Sequence, residues 1–195
     1  MRQQCNQVTG VILAGGRSQR MGGEDKGLMM FRTQPLWQHV LQRLQPQVAQ
    51  VVISANRHPQ RYRQSGLTVI GDTLPDFPGP LAGMLATLRA IDTEWAAFSS
   101  CDTPFIPHDF VQRLWQEKHD AQAVWVRSAA RDHPALALVH RDVADRLEDF
   151  LHRGERRLRL FLQQVGGRPV LFDDDERLFI NINTPQDLLL YQEEK

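Results

Sequence analysis

The chain has 195 residues, and its 23 Lys and Arg balance its 23 Asp and Glu, so its formal net charge is zero. This balance argues against nonspecific nucleic-acid binding and against attraction to membrane surfaces, because both need a basic excess. With 42% hydrophobic residues, residues 1–195 are expected to form a single globular domain with a substantial core.

The first half of the chain alternates short apolar runs with stretches of helical periodicity. Short apolar runs predict buried strands, and amphipathic stretches predict helices. In chain order we expect a strand over 10–15, a helix from Pro35 to Pro46, strands over 51–55 and 67–71, a helix over 81–91 and a strand over 95–100.

The second half continues the alternation. We expect a helix over 108–118, strands over 123–127 and 135–140, a helical stretch over 141–164 interrupted at Gly154, short strands over 170–172 and 179–182, and a helix from Pro185 to about 193. Alternation of this kind predicts a three-layer α/β fold, with an open, mostly parallel sheet and helices on both faces.

Cysteine usage and the N-terminal stretch bear on the compartment. Cys5 and Cys101 are far apart and form no CxxC motif, which predicts free thiols in a reducing environment. The stretch MRQQCNQVTG is polar, and no apolar run approaches membrane-spanning length. We therefore expect a cytoplasmic protein.

The stretch LAGGRSQRMGGEDKGL, residues 13–28, follows the first predicted strand and is rich in glycine and basic residues. Glycine exposes backbone N–H groups, so the loop could fold around an anion; a mobile surface loop is the alternative. The chain contains neither GxxxxGK[ST] nor GxG, which excludes a P-loop and the usual dinucleotide fingerprint. The amides of Ala14, Gly15 and Gly16 could instead cradle phosphate oxygens, with Lys26 as a point charge.

Ligands of open α/β sheets bind beyond the carboxyl ends of the strands. This rule places the glycine-rich loop, Ser54 with Asn56, Asp72 and Asp102 at one edge of the predicted sheet. A carboxylate such as Asp102, at the end of an apolar strand, suits the Mg²⁺ that accompanies a triphosphate. A helix N-cap is the alternative for Asp102, and the prolines that follow it at 104 and 107 disfavour that role.

Four motifs carry a family resemblance: LAGGRSQRMGGEDKGL, GPLAG at 79–83, CDTPF at 101–105 and NINTPQDL at 181–188. From Gly10 to the C-terminus the chain resembles the bacterial molybdenum cofactor guanylyltransferases, a branch of the Rossmann-like nucleotidyltransferases with a mostly parallel, mixed sheet. The resemblance implies Mg²⁺-dependent transfer of GMP from GTP to molybdopterin or its molybdenum-bearing form. Enzymes and chaperones that take up the finished cofactor would be further partners. We also expect a monomer and, from the net charge, neither nucleic acid nor membrane among the partners.

The resemblance also assigns roles by position. The positions that it makes nucleotide-binding are Leu13, Ala14, Gly15, Lys26, Ser54, Asp72 and Asp102. Among these, Lys26 and Asp102 would be catalytic, and Asp102 would hold the metal. Ser54 stands where the family commonly has Asn, so its contact stays open and Asn56 could share it.

The acceptor is expected in the C-terminal half, because the nucleotide would occupy the N-terminal half. Asn181 and Asn183 alternate on the strand predicted over 179–182, so both would point to one face and could match a pterin edge. Turn formation before Pro185 is an equal alternative for these asparagines. The rival functions are a sister nucleotidyltransferase that uses CTP or acts on a sugar or alditol phosphate, and a non-catalytic GTP-binding adaptor.

Overall fold

The computed structural model of the protein describes residues 6–14, 25–74 and 79–192. Within these ranges the strands are β1 (Val8–Leu13), β2 (Met30–Phe31), β3 (Gln34–Pro35), β4 (Gln50–Ser54), β5 (Thr68–Ile70), β6 (Trp95–Ser100), β7 (Ala123–Arg127), β8 (Asp132–His140) and β9 (Arg168–Leu171). The helices are α1 (Leu36–Leu44), α2 (Pro59–Arg63), α3 (Pro80–Ala90), α4 (Phe110–Glu117), α5 (Ala144–His152), α6 (Leu158–Gln164) and α7 (Pro185–Gln192). None of these helices has the length and apolar character needed to cross a membrane.

One sheet organises the described part of the chain. Its strand order is β5-β4-β1-β6-β8-β7-β9, and β2 and β3 form a separate small hairpin. Strand β8 runs antiparallel to both of its neighbours, whereas the other pairs of the sheet are parallel. The mostly parallel, mixed sheet predicted from the sequence is therefore confirmed.

Helices cover both faces of this sheet. One apolar cluster joins α1 and α4 to the first face and includes Trp37, Val40 and Phe110. The other cluster joins α3, α5 and α6 to the opposite face and includes Met84 and Phe150. Strands buried on both faces explain why β1, β4 and β6 read as continuous apolar runs rather than as alternating patterns.

The strand predicted over 179–182 is wrong. Residues Glu176–Phe179 form a 3₁₀ turn, and the chain then runs to α7 outside the sheet. The apolar side chains of the segment go to different places: Phe179 packs in the cluster with α1 and α4, whereas Ile182 packs against Phe31 and Leu188. Burial therefore accounts for the apolar pattern at 179–182 without strand pairing.

The other differences between the predicted and the observed helices and strands are smaller. The hairpin β2–β3 and the helix α2 are missing from the sequence prediction, because two-residue strands have no detectable period and α2 is mostly polar. The long helical stretch is two helices, separated where Gly154 adopts a φ of +83°. That backbone conformation favours glycine and is common where helices end.

Candidate nucleotide-binding site at the carboxyl edge of the sheet

The carboxyl ends of β1, β4, β5 and β6 lie at one edge of the sheet. In the register of the ladders, Leu13 pairs with both Ser54 and Ser100, and Ser54 pairs with Ile70. The segments that follow these strands, including Asp72 and Asp102, therefore begin at the same level. The expected convergence of the predicted site residues on one edge agrees with this geometry.

Lys26 and Asp102 meet at this edge. The Lys26 Nζ lies 3.4 Å from Asp102 Oδ2 and donates a hydrogen bond of 2.6 Å to Asn183 Oδ1. The side chains of Lys26 and Asp102 are 23% and 10% exposed. Ion pairs that are partly buried are screened less than surface pairs, so the Asp102 carboxylate, together with Asn183, orients the ammonium group.

The two carboxylate oxygens of Asp102 differ in their contacts. The Oδ1 atom is buried, and none of the residues that the structure describes hydrogen-bonds to it. The N-cap position of α4 belongs to Asp109, so Asp102 does not cap that helix. A buried carboxylate oxygen costs free energy unless it finds a partner, and this oxygen is suited to a cation.

The donor set fits Mg²⁺ that arrives with a nucleotide. Within 6–14, 25–74 and 79–192, no three His, Cys, Asp or Glu side chains gather into a group that could hold a metal by themselves. Mg²⁺ commonly binds through one or two carboxylates together with substrate phosphates and water. Asp102 could supply one such carboxylate.

A segment from the far end of the chain completes this part of the site. The amide of Ile182 donates to the Asp102 carbonyl at 2.8 Å. Asn183 is fixed by the start of α7, where Asp187 Oδ2 accepts from the amides of Asn183 and Thr184, and Thr184 Oγ1 accepts from the Asp187 amide. The bonds between Thr184 and Asp187 form a capping box. The cap of α7 therefore places the side-chain amide of Asn183 against Lys26.

Asn181 lies two residues away from this contact, but not on a strand. The Asn183 Nδ2 is 3.5 Å from the carbonyl oxygen of Asn181. The premise that strand alternation points both side chains to one face is therefore wrong.

Ser54 and Asp72 converge at another part of the edge, beside α3. A Cβ built on Gly83 would lie 2.5 Å from Ser54 Oγ and 3.4 Å from Asp72 Oδ1, so only glycine allows this close approach. Asn56 contacts Asp72 as well, because its Oδ1 accepts from the Asp72 backbone amide at 2.7 Å. Burial raises the pKa of the Asp72 carboxyl, and a hydrogen bond between that carboxyl and the Asn56 side chain lowers it in part.

The first turn after β1 differs from expectation at one atom. The Ala14 amide donates to the Ser54 carbonyl at 2.8 Å. We therefore correct the expectation that this amide cradles phosphate, because its hydrogen already extends the β1–β4 ladder. The Leu13 carbonyl accepts from the Cys101 amide at 3.0 Å. Gly15 and Gly16, with the basic residues that follow them, lie outside the described residues.

Two neighbours of Lys26 were missed by the sequence reasoning. Asp25 is buried, and its Oδ1 accepts from Tyr62 Oη at 2.7 Å and from the Gly27 amide at 3.1 Å. An acid two residues before a glycine is a recognisable turn signal, whereas nothing in the sequence points to Tyr62.

Cys101 is a buried thiol whose pKa is raised, first by burial and then by the nearby Asp102 charge, so it stays protonated.

The mixed sheet, with a lysine and an aspartate meeting at its carboxyl edge, defines the class of Rossmann-like nucleotidyltransferases. A solved structure of the molybdopterin-guanine dinucleotide biosynthesis protein A from Archaeoglobus fulgidus superposes with a TM-score of 0.77, with 26% identity over 95% of this chain and 97% of that one. A CMP:2-keto-3-deoxy-manno-octonic acid synthetase complexed with CTP has the same fold, with a TM-score of 0.75 and 18% identity over 96% of this chain and 97% of that one.

Sequence relatives narrow the class. The family model described as the MobA-like NTP transferase domain matches residues 10–169. The molybdenum cofactor guanylyltransferase of Serratia proteamaculans is 50% identical over 97% of this chain and 96% of its own length. That of Yersinia pestis is 47% identical over 96% of each. The chain belongs to the MobA-like NTP transferases, in the branch of the molybdenum cofactor guanylyltransferases.

Proposed function

We propose that the protein transfers GMP from GTP to molybdopterin, or to its molybdenum-bearing form, and releases pyrophosphate. The observation that carries the proposal is the contact of Lys26 Nζ with Asp102 Oδ2, 3.4 Å apart at the carboxyl edge of the sheet. Relatives that are 50% and 47% identical bear the name of this reaction. Their names support GTP over other nucleotides as the donor.

The reaction exchanges one bond at the α-phosphorus of GTP for another. An oxygen of the acceptor's terminal phosphate forms the new bond, and the bond to the oxygen that bridges to the β-phosphate breaks. Pyrophosphate leaves with that electron pair. The attacking phosphate is an anion at neutral pH, so the barrier comes from repulsion between anions and from charge on the leaving group. Catalysis then depends on alignment and on positive charge.

Lys26 and Asp102 would meet these needs. The Lys26 ammonium has three donors, so it can keep Asp102 and Asn183 and still donate to a phosphate oxygen. Asp102 would hold Mg²⁺ through the oxygen that lacks a partner among the described residues. The metal would neutralise charge on the phosphates. The buried Asp102 carboxylate would thus orient both cations toward one triphosphate.

Ser54 and Asp72 would form the nucleoside end of the site, with Leu13 and Ala14 at the end of β1. Guanine presents N1–H and N2–H₂ as donors, and the Asp72 carboxylate is an acceptor placed beside Ser54 Oγ near Gly83. Adenine lacks the 2-amino group and has no proton on N1. An acceptor left unpaired costs about 1–3 kcal/mol, which corresponds to a preference for GTP on the order of 5-fold to 100-fold.

The remaining assignments follow the two halves of the chain. Gly15 would contact the nucleotide, as the resemblance implies. Asn181 and Asn183 would lie between the nucleotide and an acceptor bound by the C-terminal half, because Asn183 already contacts Lys26. Residues 1–195 would then act as one domain that binds both substrates at a single edge of its sheet.

The test is pyrophosphate release from GTP, CTP or ATP, with and without molybdopterin. We expect release that requires GTP, molybdopterin and Mg²⁺, and that falls by about a hundredfold or more in Asp102→Asn. Exposed Asp142→Asn is the matched control and should keep the original rate. A preference for CTP would indicate a sister nucleotidyltransferase, and GTP binding without pyrophosphate release would indicate an adaptor. Either result would overturn the proposal.

A further inference from the structure

We propose that Tyr62 is a positioning residue for the reaction: its hydroxyl, acting through the buried Asp25 carboxylate, fixes the turn that aims Lys26 at Asp102 and Asn183. The inference rests on the proposed function, because it concerns the same reaction. Tyr62 itself lies on α2, outside the motifs that carry the family resemblance.

The turn that carries Lys26 is held from its first residue. Asp25 is the N-cap of the 3₁₀ turn Lys26–Leu28, and its Oδ1 accepts from the Gly27 amide at 3.1 Å. The Leu28 amide closes the turn on the Asp25 carbonyl at 3.0 Å. The orientation of the Asp25 side chain and the direction of Lys26 are therefore parts of one rigid unit.

Tyr62 anchors this unit to the body of the fold. Its Oη donates to the same Asp25 Oδ1 at 2.7 Å, and the tyrosine is fully buried. The ring meets Trp37 edge-on, with centroids 6.1 Å apart, so α1 and α2 hold it in place. Burial first, and then the neighbouring Cys101 and Asp25, raise the pKa of Tyr62 above its ordinary value, so the hydroxyl stays a donor.

Gly27 shows how closely the turn approaches Tyr62. A Cβ built on Gly27 would overlap the Tyr62 hydroxyl oxygen and would lie 3.4 Å from Cys101 Cβ. The turn is therefore held between the tyrosine and the residue that precedes Asp102. Because Asp25 Oδ2 has no hydrogen-bond partner in the described part of the chain, the bonds to Oδ1 are the contacts by which this carboxylate is oriented.

Removing the hydroxyl should misdirect Lys26 while leaving the core filled. Tyr62→Phe keeps the ring against Trp37 but deletes a donor to a buried carboxylate. The loss of such a bond, passed on to the lysine, is expected to lower kcat on the order of tenfold. The KM for GTP should change by less than about threefold, because the ammonium acts chiefly on charge that develops during transfer.

The test is a double-mutant cycle with Lys26→Met, measured as pyrophosphate release. If Tyr62 acts through the lysine, Tyr62→Phe has no further effect once Lys26 is methionine. The matched control is Tyr191→Phe, which removes the hydroxyl of the chain's second tyrosine, on α7. It should retain the original kcat.

The outcomes separate the two proposals. No release by the unaltered protein contradicts the proposed function. If the unaltered protein releases pyrophosphate but Tyr62→Phe has the same kcat as Tyr191→Phe, the positioning role is overturned. It is also overturned if Tyr62→Phe lowers kcat by the same factor in the Lys26→Met background as in the unaltered protein. If Tyr62→Phe does not fold, Gly27→Ala asks the same question, because its methyl group displaces the turn. Its loss must also disappear in the Lys26→Met background, or the proposal fails.

Discussion

The Lys26 ammonium lies between Asp102 Oδ2 at 3.4 Å and Asn183 Oδ1 at 2.6 Å. The short contact is with the neutral amide, and the longer one is with the charged carboxylate. A lysine held mainly by an amide keeps more of its positive charge available to a third group than one closed into a tight ion pair. The arrangement thus suits a residue that must bind a phosphate as well as an aspartate.

We expect Lys26→Met to lower the rate of pyrophosphate release by about 10²–10³-fold, because a preorganised cation aimed at developing charge contributes on this scale. Lys118→Met is the matched control: Lys118 lies 4.5 Å from the Trp95 ring at the opposite end of β6, away from the site. Steady-state kinetics with GTP check both variants. Equal rates for the Lys26 variant and the unaltered protein would refute the assignment.

Asp72 leads to a pH-dependent prediction. Because burial raises the pKa of this carboxyl, its ionised form destabilises the fold at neutral pH, and the cost disappears as the pH falls and the folded protein takes up the proton. We therefore expect Asp72→Asn to melt at a higher temperature than the unaltered protein at pH 8, with the difference shrinking toward pH 4. The same variant should lose part of its preference for GTP over ATP.

Thermal melts between pH 4 and pH 8 check the stability part of this prediction. Asp92→Asn, at an exposed position, should show no such pH-dependent gain. A melting temperature of Asp72→Asn below that of the unaltered protein at pH 8 would show that the carboxylate is stabilised by groups other than Asn56. The preference between nucleotides is measured separately, by initial rates.

The meeting of Lys26 with Asp102 could be foreseen from strand order, because both follow strands whose carboxyl ends share an edge. The role of the Ala14 amide could not be foreseen. Only the structure shows that the β1–β4 ladder continues past Leu13, where the Ala14 amide donates to the Ser54 carbonyl. The contact between Lys26 and Asn183 joins positions 157 residues apart. No periodicity or spacing in the sequence reports such a pairing.

At the level of elements, the antiparallel β8 distinguishes this sheet from a fully parallel one. Apolar runs look alike in both directions, so hydrophobicity alone does not predict the direction of β8. The length of the connection does predict it. Because β7 ends at Arg127 and β8 begins at Asp132, the loop between them is too short for a parallel crossover. The apolar run alone predicts a strand that begins at 135, so it overestimates the length of this connection.

The start of α3 depends on Gly79, whose φ of 112° and ψ of 179° lie in a region that essentially only glycine adopts. We expect Gly79→Ala to reduce the free energy of unfolding by about 1–3 kcal/mol. Gly71→Ala is the control, because its Cβ would meet only ordinary contacts, 3.6 Å or more away. Denaturant unfolding measures both, and an unchanged midpoint for Gly79→Ala would contradict the prediction.

At the level of the whole molecule, ligand binding should raise the melting temperature of the protein. A ligand that binds only the folded state at about 100 times its Kd adds about 2.7 kcal/mol, which raises Tm by several degrees in a chain of this size. We expect GTP with Mg²⁺ to raise Tm more than ATP or CTP does. The additional rise from Mg²⁺ should be lost in Asp102→Asn.

Differential scanning fluorimetry with each nucleotide, with and without Mg²⁺, makes this measurement. Equal shifts for GTP, ATP and CTP would remove the argument that Asp72 selects guanine. A Mg²⁺-dependent shift that survives in Asp102→Asn would place the metal on other groups. These outcomes are independent of whether molybdopterin is present.

The overall architecture was predictable because burial on two faces leaves a strong pattern. The fold class and most strands and helices follow from apolar runs and their alternation with amphipathic stretches. The segment around Phe179 and Ile182 shows the limit of this reasoning, because its apolar residues are buried by loops and helices rather than by strand pairing. Hydrophobicity reports that a side chain is covered, but not what covers it.

Ile182 and Asn183 have a consequence for the order in which the protein matures. A nascent chain still emerging from the ribosome could assemble β1, β4 and β6 and present Lys26 and Asp102 before residues 182 and 183 are synthesised. Until then, the chain lacks the Ile182 amide that donates to the Asp102 carbonyl and the Asn183 oxygen that accepts from the Lys26 ammonium. A polypeptide that stalls short of this point would carry both charged groups without the contacts that align them.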